Sequence, residues 1–332
     1  MKKILIFDTS IASLNMGDEI IVESIKENMA YLFEENYCMT FPTHTPTYYK
    51  FQNVYSRKYI ENYSNADFKF VCGSNLLFKN MLRPMPVWNI NVFNTKVANS
   101  SILLGVGSGE NAKKVNLYTK FLYKKLLNKE FIHSVRDEKT KIMIEKLGYK
   151  AINTGCPTLW NIDEKHCKQI PKEKSKSVIF TLTHYEYAKN ERLDSLMIDI
   201  LKRNYSEVYF WPQCIEDYDY LVDLGQEKGV KVVTPNLASY RKILKQDIDY
   251  VGSRLHGGIF AIQNFKRSII LAIDNRAREI KITNNIPCIE RDELDGKLEK
   301  MIVSNFNTEI VLDANKINTW KDQFVSSEEK YE

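Results

Sequence analysis

Short apolar runs alternate along the chain with segments whose apolar residues recur at helical spacing. Such alternation is typical of parallel α/β structure, in which helices join buried strands. The pattern predicts strands at 3–7, 68–72, 101–106, 131–135, 178–182, 208–211, 230–233, 249–251 and 268–273. It predicts helices after Gly17 and at 115–127, 137–147, 192–203, 215–228, 237–244, 255–263, 290–303 and 314–324. Right-handed crossovers between parallel strands would give two doubly wound, Rossmann-like sheets.

The alternation is interrupted at 162–176, which is charged, polar and contains a proline, as is typical of an exposed linker. A second segment without a clear period, 40–63, is expected to be a loop with short elements. The predicted organisation is an N-terminal Rossmann-like domain at 1–165, a linker at 166–176, a C-terminal Rossmann-like domain at 177–312, and a helix packing back with a frayed tail at 313–332.

The composition of the 332 residues fits a globular protein, with 44% apolar and 27% charged residues. It excludes disordered and collagen-like architectures. Lys and Arg number 47 against 42 Asp and Glu, so the formal net charge is +5. This excess is small for the length. It fits an enzyme that handles anions better than a nucleic-acid-binding protein, for which a concentrated basic stripe would be expected.

The cysteines and the start of the chain indicate a cytoplasmic protein. Six scattered cysteines without a CxxC pair are typical of a reduced protein with core thiols. The first apolar run is cut by Asp8, too early for a signal peptide, and is predicted to be a buried strand. No apolar stretch approaches the ~18 residues that would span a bilayer. We expect a soluble protein, and peripheral contact with the inner membrane face stays open.

The segment around Arg254 carries the strongest chemical signal. A buried strand at 249–251 runs into an apolar helix through Ser253, Arg254 and His256. A cation beside the free amides of a helix start predicts an anion site, and a histidine there can move a proton near neutral pH. Gly257 and its neighbour would let a ligand approach the backbone. The alternative is a structural ion pair; the coincidence of cation, proton carrier and glycines favours function.

Two further strand ends carry candidate residues. Asn15, Gly17 and Asp18 follow the first strand, where a helix cap and a base towards acceptor hydroxyls are equally supported. Arg136 follows the strand at 131–135 and would supply a second cation, while Asp137 is predicted to be a helix N-cap. Ligands of open α/β sheets bind at the carboxyl ends of strands, so we expect these groups to face one cleft between the domains.

Other glycine turns and histidine–cysteine pairs do not identify a cofactor. The turn at 104–109 follows a strand but lacks the GxGxxG spacing, so a dinucleotide is not expected. Gly73 and Ser74 also end a strand and allow close backbone approach without naming a ligand. His166 and Cys167 lack a second pair at zinc spacing, so no metal is expected.

The candidate residues resemble the motifs of the polysaccharide pyruvyl transferases. Four elements occur in the family's order: Asn15-x-Gly17-Asp18, Arg136-Asp137, Gly155-x-Pro157 and Ser253-Arg254-Leu255-His256-Gly257. The resemblance covers roughly residues 15–274, and its Arg-Leu-His-Gly block is the most specific element.

The resemblance implies a fold like that of the two-domain GT-B glycosyltransferases, with the N-terminal domain on the acceptor side and the C-terminal domain on the donor side. It implies transfer of a pyruvyl group from phosphoenolpyruvate to two hydroxyls of a sugar, with no cofactor, during surface-polysaccharide or exopolysaccharide synthesis. Arg254 and His256 would bind and protonate the donor, with Asp18 and Arg136 completing the site. Substrate-binding roles are expected for Asn15, Gly17, Gly73, Ser74, Ser253, Gly257 and Asp274.

The partners and two alternative functions stay open at this point. The acceptor could be a free sugar, a nucleotide sugar or a lipid-linked oligosaccharide, and nothing in the sequence fixes the oligomeric state. A GT-B glycosyltransferase with a nucleotide-sugar donor is the first alternative, because the Arg-His-Gly turn could also hold a diphosphate. A non-catalytic sugar-binding protein of a polysaccharide assembly system is the second.

Overall fold

A computed structural model describes residues 1–82, 87–109 and 112–325. The chain divides into two compact units. The first unit comprises Met1–Ser13, Ile21–Trp160 and Asp313–Glu332, and the second comprises Leu14–Ile20 and Asn161–Leu312.

The strands of both units are parallel. Those of the first unit are β1 (Lys3–Asp8), β2 (Tyr37–Pro42), β3 (Phe68–Cys72), β4 (Asn75–Phe78), β5 (Ile102–Leu104), β6 (Gly107–Gly109), β7 (His133–Val135) and β8 (Ala151–Asn153). Those of the second are β9 (Ser177–Thr181), β10 (Glu207–Phe210), β11 (Lys231–Val232), β12 (Ile248–Gly252), β13 (Ser268–Ala272) and β14 (Cys288–Glu290).

Helices follow most strands. They are α1 (Met16–Asn28), α2 (Ala30–Phe33), α3 (Gln52–Tyr55), α4 (Arg57–Ser64), α5 (Thr95–Ala98), α6 (Leu117–Leu126), α7 (Glu138–Lys146), α8 (Glu164–Cys167), α9 (Glu191–Asn204), α10 (Ile215–Asp223), α11 (Leu237–Ile243), α12 (Leu255–Gln263), α13 (Asn275–Asn284), α14 (Leu294–Val303) and α15 (Ala314–Lys321). Short 3-10 helices occupy Pro157–Leu159 and Arg291–Glu293.

The first unit is built on a parallel sheet with strand order β2-β1-β3-β5. Its β1 is buried on both faces: Leu5 and Phe7 pack in one core cluster, and Ile4 and Ile6 pack in another. Burial on two faces is the property of a doubly wound sheet. The chain leaves β1 for β2 on one side and then adds β3 on the other. The topological switch point, where ligands of such sheets bind, therefore lies at the carboxyl ends of β1 and β3.

The second unit has a six-stranded sheet with the order β11-β10-β9-β12-β13-β14. In chain order this is 3-2-1-4-5-6, the arrangement of dinucleotide-binding Rossmann domains. The switch point lies between β9 and β12. Val178, Phe180 and Leu182 alternate into the core of this unit beside Val251 of β12.

Most predicted elements are present, and the differences have physical causes. The predicted loop at 40–63 contains the end of β2, the whole of α3 and most of α4. β2 lies at the sheet edge with a partly exposed pattern, so its composition does not resemble a buried strand. Helix α13 was not predicted because few of its side chains are buried.

The predicted linker at 166–176 is mostly exposed and has no helix or strand after Cys167, the last residue of α8. Within this segment, both Cys167 and Ile170 are buried. The Ile170 amide donates to the Cys167 carbonyl at 3.1 Å, in the turn that follows α8. The unit boundary lies at Trp160, not at 165, and Leu14–Ile20 belongs to the second unit.

The predicted C-terminal helix packs on the first unit. Ile317 and Trp320 of α15 join the core cluster that contains Phe70, and Trp320 Nε1 donates to the Ile132 carbonyl at 2.8 Å. The predicted frayed tail at 326–332 lies outside the described residues. All six cysteines are free. Among the described residues, no helix is both long and apolar enough to cross a membrane.

Gly252, the last residue of β12, should not tolerate a side chain. A Cβ there would lie 2.7 Å from the backbone nitrogen and 2.8 Å from the backbone oxygen of Thr181 on β9. We expect Gly252→Ala to lower the free energy of unfolding by about 3 kcal/mol. In the control Gly225→Ala, the new Cβ meets nothing within 4 Å, and the left-handed backbone costs about 1 kcal/mol. Urea unfolding measures both; equal losses would contradict the close approach of β9 and β12.

His133 in β7 should make stability depend on pH. Its Nδ1 accepts from the Leu103 amide, its Nε2 donates to the Asn128 carbonyl, and burial lowers its pKa from 6.5 to about 4. The unfolded state therefore binds more protons between these values, and stability is lost as the pH falls from about 6.5 to about 4, by roughly 3 kcal/mol in total. Urea midpoints between pH 7 and 4.5 should fall less for His133→Gln; parallel curves would contradict the assignment.

Candidate functional site

The ends of β9 and β12 meet at the switch point of the second unit. Ser253 directly follows β12, and its Oγ lies 2.9 Å from Oγ1 of Thr183. The next residue, Arg254, occupies the N-cap position of α12, and its backbone amide donates to Oγ1 of Thr181 at 3.2 Å. The sequence therefore places Arg254 where a ligand of a Rossmann sheet is expected, as predicted from the strand-to-helix junction.

Arg254 is held by a buried ion pair with Asp217 of α10. Its Nε lies 2.9 Å from Oδ2 of Asp217, and its Nη2 donates to Oδ1. The arginine side chain is 4% exposed and the aspartate is fully buried. Burial lowers the pKa of Arg254, but the charge of Asp217 and its hydrogen bonds outweigh this and raise it. The guanidinium charge is thus compensated within the protein. Arg254 forms the structural ion pair that was the alternative to an anion site.

His184 is the second partner of Asp217. It lies just beyond β9, and its Nδ1 is 2.9 Å from Oδ1 of Asp217. Arg254 Nη2 lies 3.2 Å from the same ring nitrogen. The His184 side chain is 24% exposed, whereas the carboxylate is fully buried. The structure therefore places a histidine and an arginine around one carboxylate at the carboxyl edge of the sheet.

The turn Asn15–Asp18 is attached to this same part of the second unit through Gln213. The Asn15 side chain caps α1, since its Oδ1 accepts from the Gly17 amide at 2.9 Å, and it also accepts from Gln213 Nε2 at 2.7 Å. A Cβ on Gly17 would lie 2.7 Å from that Nε2, so a side chain there would displace the end of the Gln213 side chain. Asp18 is half-buried in the first turn of α1. Gln213 in turn donates its backbone amide to Asp217.

His256 and Gly257 lie in the first turn of α12, and both are buried. On the side where a Cβ of Gly257 would lie, the space is occupied by side chains of the protein itself. A Cβ there would lie 3.1 Å from Gln213 Oε1, and a Cβ on Gly258 would lie 2.6 Å from Ile270. These glycines allow α12 to pack closely on its own protein. Their space is taken by the side chains beneath the helix.

Asp274 follows β13 and caps α13. Its Oδ1 accepts from the amides of Arg276 and Ala277, and its Oδ2 lies 2.6 Å from Arg276 Nη2. Burial raises the pKa of Asp274, but the charge of Arg276 and these hydrogen bonds outweigh burial and lower it. Asp274 is therefore a charged cap at the same sheet edge.

The first unit has its own candidate anion site around Arg136, which follows β7. The Arg136 side chain is buried, with the residue 9% exposed, and its Nη2 donates to Oδ1 of Asn75. A Cβ on Gly107 would lie 2.7 Å from that Nη2. Across 1–82, 87–109 and 112–325, no carboxylate forms an ion pair with Arg136. A buried cation without a balancing carboxylate is a natural partner for an anionic ligand.

The predicted residues Gly73 and Ser74 join β3 to β4 beside this arginine's partner Asn75. Both have a left-handed backbone, with φ of 62° and 56°. For Ser74 that conformation costs free energy, and such strained residues are common at ligand sites. A Cβ on Gly73 would lie 2.2 Å from Ile21, so this glycine is required by the packing of α1.

A metal could in principle be held by His184, Cys214 and Glu216, whose ligand atoms lie within 4.8 Å of one another. However, Arg254 Nη2 lies 3.2 Å from both Cys214 Sγ and the histidine Nδ1. Burial raises the pKa of Cys214 to about 11, so the thiol stays protonated. A cation would therefore face a guanidinium and a neutral thiol, which is an unfavourable electrostatic environment.

Comparison with known families decides what kind of protein these sites belong to. A family model described as polysaccharide pyruvyl transferase matches residues 15–275. The chain belongs to this family. The match spans the Asn15 turn, Arg136, Arg254 and His256, so the suspected family and its transferase class are confirmed. No curated protein sequence matches the chain.

Solved structures show the fold of this family member. A Methanocaldococcus jannaschii UDP-GlcNAc 2-epimerase, in complex with UDP-GlcNAc and UDP, has a TM-score of 0.54 at 11% identity and covers 97% of this chain and 98% of its own. S. aureus MnaA with UDP has a TM-score of 0.48 at 9% identity, covering 100% and 97%. The first likeness confirms the predicted α/β fold of the GT-B type. At this identity it shows the fold alone.

Three residues of the site were not predicted: Asp217, His184 and Gln213. His184 could have been predicted from the sequence, because it follows the predicted strand 178–182 and the other candidate residues also lie at strand ends. Asp217 is three residues after Cys214, and the two form a reciprocal capping box at the start of α10. Its link to an arginine 37 residues later depends on the strand order.

Proposed function

We propose that this protein transfers the pyruvyl group of phosphoenolpyruvate to two hydroxyls of a sugar in the cytoplasm, forming a ketal during bacterial surface-polysaccharide or exopolysaccharide synthesis. Membership of the polysaccharide pyruvyl transferase family supports the reaction class. The choice of phosphoenolpyruvate as the donor depends most on Arg136. This residue is a buried cation at a strand end with no carboxylate partner in the described part of the chain. Its environment suits a small, highly charged anion.

The donor has two anionic groups, a carboxylate and a phosphate. Arg136 supplies a charge that the surrounding described residues leave uncompensated. The charge of Arg254 is balanced by Asp217, so Arg254 offers the donor molecule fixed hydrogen-bond donors more than net positive charge. The amides at the start of α12 add oriented dipoles beside it.

The proposed reaction has three steps. A proton from His256 is added to the methylene carbon C3, leaving a cationic centre at C2. One sugar hydroxyl forms a bond to C2 and loses its proton. A second hydroxyl then forms a second C2–O bond, loses its proton and displaces inorganic phosphate. Asp18 is the proposed acceptor for one hydroxyl proton. Over the whole cycle, one of the two released protons restores His256 and the other leaves with the phosphate.

The acceptor is proposed to be a sugar, with a nucleotide sugar as the first class to test. The similar epimerase is recorded with UDP-GlcNAc and UDP, and its fold matches over 97% of this chain. A lipid-linked oligosaccharide is the other acceptor class. The same likeness also supports the alternative of a glycosyltransferase that uses a nucleotide-sugar donor.

Phosphate release separates these possibilities. The purified protein is incubated with phosphoenolpyruvate and, in turn, with UDP-N-acetylglucosamine, UDP-glucose and methyl hexosides. The proposed function predicts inorganic phosphate released only when both phosphoenolpyruvate and an acceptor are present. Release of a nucleoside diphosphate without consumption of phosphoenolpyruvate would indicate the glycosyltransferase instead.

A further inference from the structure

The proposed reaction removes two hydroxyl protons, and Asp18 accounts for one. The second unit holds another group arranged as a proton acceptor, the pair His184–Asp217. Two groups lie near Nδ1 of His184: the carboxylate of Asp217, which can only accept, at 2.9 Å, and Nη2 of Arg254, which can only donate, at 3.2 Å. We take the shorter contact as the hydrogen bond, which places the proton on Nδ1. Nε2 then presents its lone pair. This is the arrangement by which a buried aspartate orients a histidine base.

We propose that His184 is the second proton acceptor of the transfer. As one sugar hydroxyl forms its bond to C2 of the protonated donor, Nε2 of His184 takes the hydroxyl proton and the ring becomes an imidazolium. Asp217 stabilises that cation through Nδ1. The proton then passes to the departing phosphate, which restores the neutral ring. The proposal rests on the proposed function and adds a residue to it.

A purely structural role does not explain the imidazole. Asp217 already accepts hydrogen bonds from the backbone amides of His184, Gln213 and Cys214. It also accepts two from Arg254. The carboxylate is therefore satisfied without the ring, and removing the ring leaves no buried polar group unpaired. The side chain is nevertheless 24% exposed, which leaves it open to substrate.

The groups around the ring favour this role. Those that are charged or titratable are Asp217, Arg254, Cys214, Glu216 and Tyr185. The Tyr185 ring is edge-on to His184 at 4.6 Å and also lies 4.6 Å from the guanidinium of Arg254. The ring is thus fixed on one side by an aromatic contact and on another by the carboxylate. The positive charge of Arg254 balances the negative charge of Asp217. The cluster of His184, Asp217 and Arg254 therefore carries no net charge before His184 takes up a proton.

The test uses His184→Ala and the control His166→Ala in the same unit. His166 also bonds through a ring nitrogen, 2.8 Å from the Ile262 carbonyl, and stacks on Phe265. Phosphate release from phosphoenolpyruvate is measured with the acceptor that the unaltered protein uses fastest. We expect His184→Ala to lower kcat by about 10²–10⁴-fold with little change in KM for phosphoenolpyruvate. Added imidazole should restore part of kcat, and neither effect should occur in His166→Ala.

Two results would overturn the proposal: an unchanged kcat in His184→Ala, or a lost kcat that imidazole does not restore. A second measurement needs no turnover. Long-range ¹H–¹⁵N spectra of the five histidines, with His184→Gln to assign the resonance, should show the proton on Nδ1 at pH 7.5; a proton on Nε2 would also overturn it. If the unaltered protein releases no phosphate with any acceptor while the spectra show Nδ1–H, the proposed function is disproved, but the orientation of His184 by Asp217 is confirmed.

Discussion

Replacing Asp217 by alanine is expected to lower the free energy of unfolding by about 3–5 kcal/mol. The carboxylate is fully buried and accepts hydrogen bonds from both the Nε and Nη2 sides of Arg254, which is itself 4% exposed. Without it, a guanidinium stays in the protein interior with no negative partner among these contacts. The substitution also removes the acceptor of two backbone amides at the start of α10.

The control for this prediction is Asp219→Ala in the same helix, whose side chain is exposed. It should change stability by less than about 0.5 kcal/mol. The double variant Asp217→Ala with Arg254→Met should lose less than the two single variants together, because it leaves no unpaired charge. Urea unfolding measures all four proteins. Equal stabilities of Asp217→Ala and Asp219→Ala would show that the buried ion pair is not formed.

This ion pair changes what an Arg254 variant can show. From the sequence, Arg254→Ala is expected to abolish the reaction while leaving the fold intact. The structure instead predicts that this variant strands Asp217 as a buried charge and destabilises the second unit. A loss of activity in Arg254→Ala would therefore not identify a donor-binding residue unless stability were measured beside it.

The second large effect is expected for His256→Gln, which should lower acceptor-dependent phosphate release by about 10²–10⁴-fold. His256 is buried in the first turn of α12 and is the proposed acid that protonates C3 of the donor. Glutamine keeps a polar side chain of similar length but cannot transfer a proton. The measurement is kcat with saturating phosphoenolpyruvate.

A matched control is His44→Gln, because His44 is also partly buried and its Nε2 lies 3.0 Å from the Thr9 carbonyl. It lies in the first unit and has no proposed chemical role. It should retain kcat within a factor of about two, since a residue without a role in the transition state does not alter it. Thermal unfolding of both variants excludes loss of fold as the cause. Full activity in His256→Gln would remove this histidine from the mechanism.

The fold was predictable where the chain is apolar on every face. The strands at 178–182 and 249–251 are mostly apolar, with Thr181 and Asp249 as the exceptions, because β9 and β12 are central and buried on both sides. β14, at the sheet edge, has only three residues and no run long enough to stand out. β6 reads Gly-Ser-Gly, and its pairing with β4 is a long-range contact that propensity does not encode.

The site was predictable only as far as single strand ends. Arg254 and His256 were found because cation, histidine and glycines are adjacent in sequence. The partner of Arg254 was missed, since Asp217 is an ordinary acidic residue in a helix until the order of β9, β10 and β12 brings the two together. For the same reason, the packing of Gly257 against Gln213 was not predicted. A glycine that lies beside a ligand and a glycine that packs against Gln213 cannot be distinguished by the sequence pattern around them.

The most direct test of the pyruvyl transferase function follows the carbon that the reaction is proposed to change. Phosphoenolpyruvate labelled with ¹³C at C2 is incubated with the protein and the same panel of nucleotide sugars and methyl hexosides, and ¹³C spectra are recorded. Pyruvyl transfer predicts that the enol carbon signal is replaced by that of a saturated ketal carbon bonded to two sugar oxygens, with one phosphate released per ketal. An unchanged phosphoenolpyruvate signal while a nucleotide sugar is consumed would contradict it.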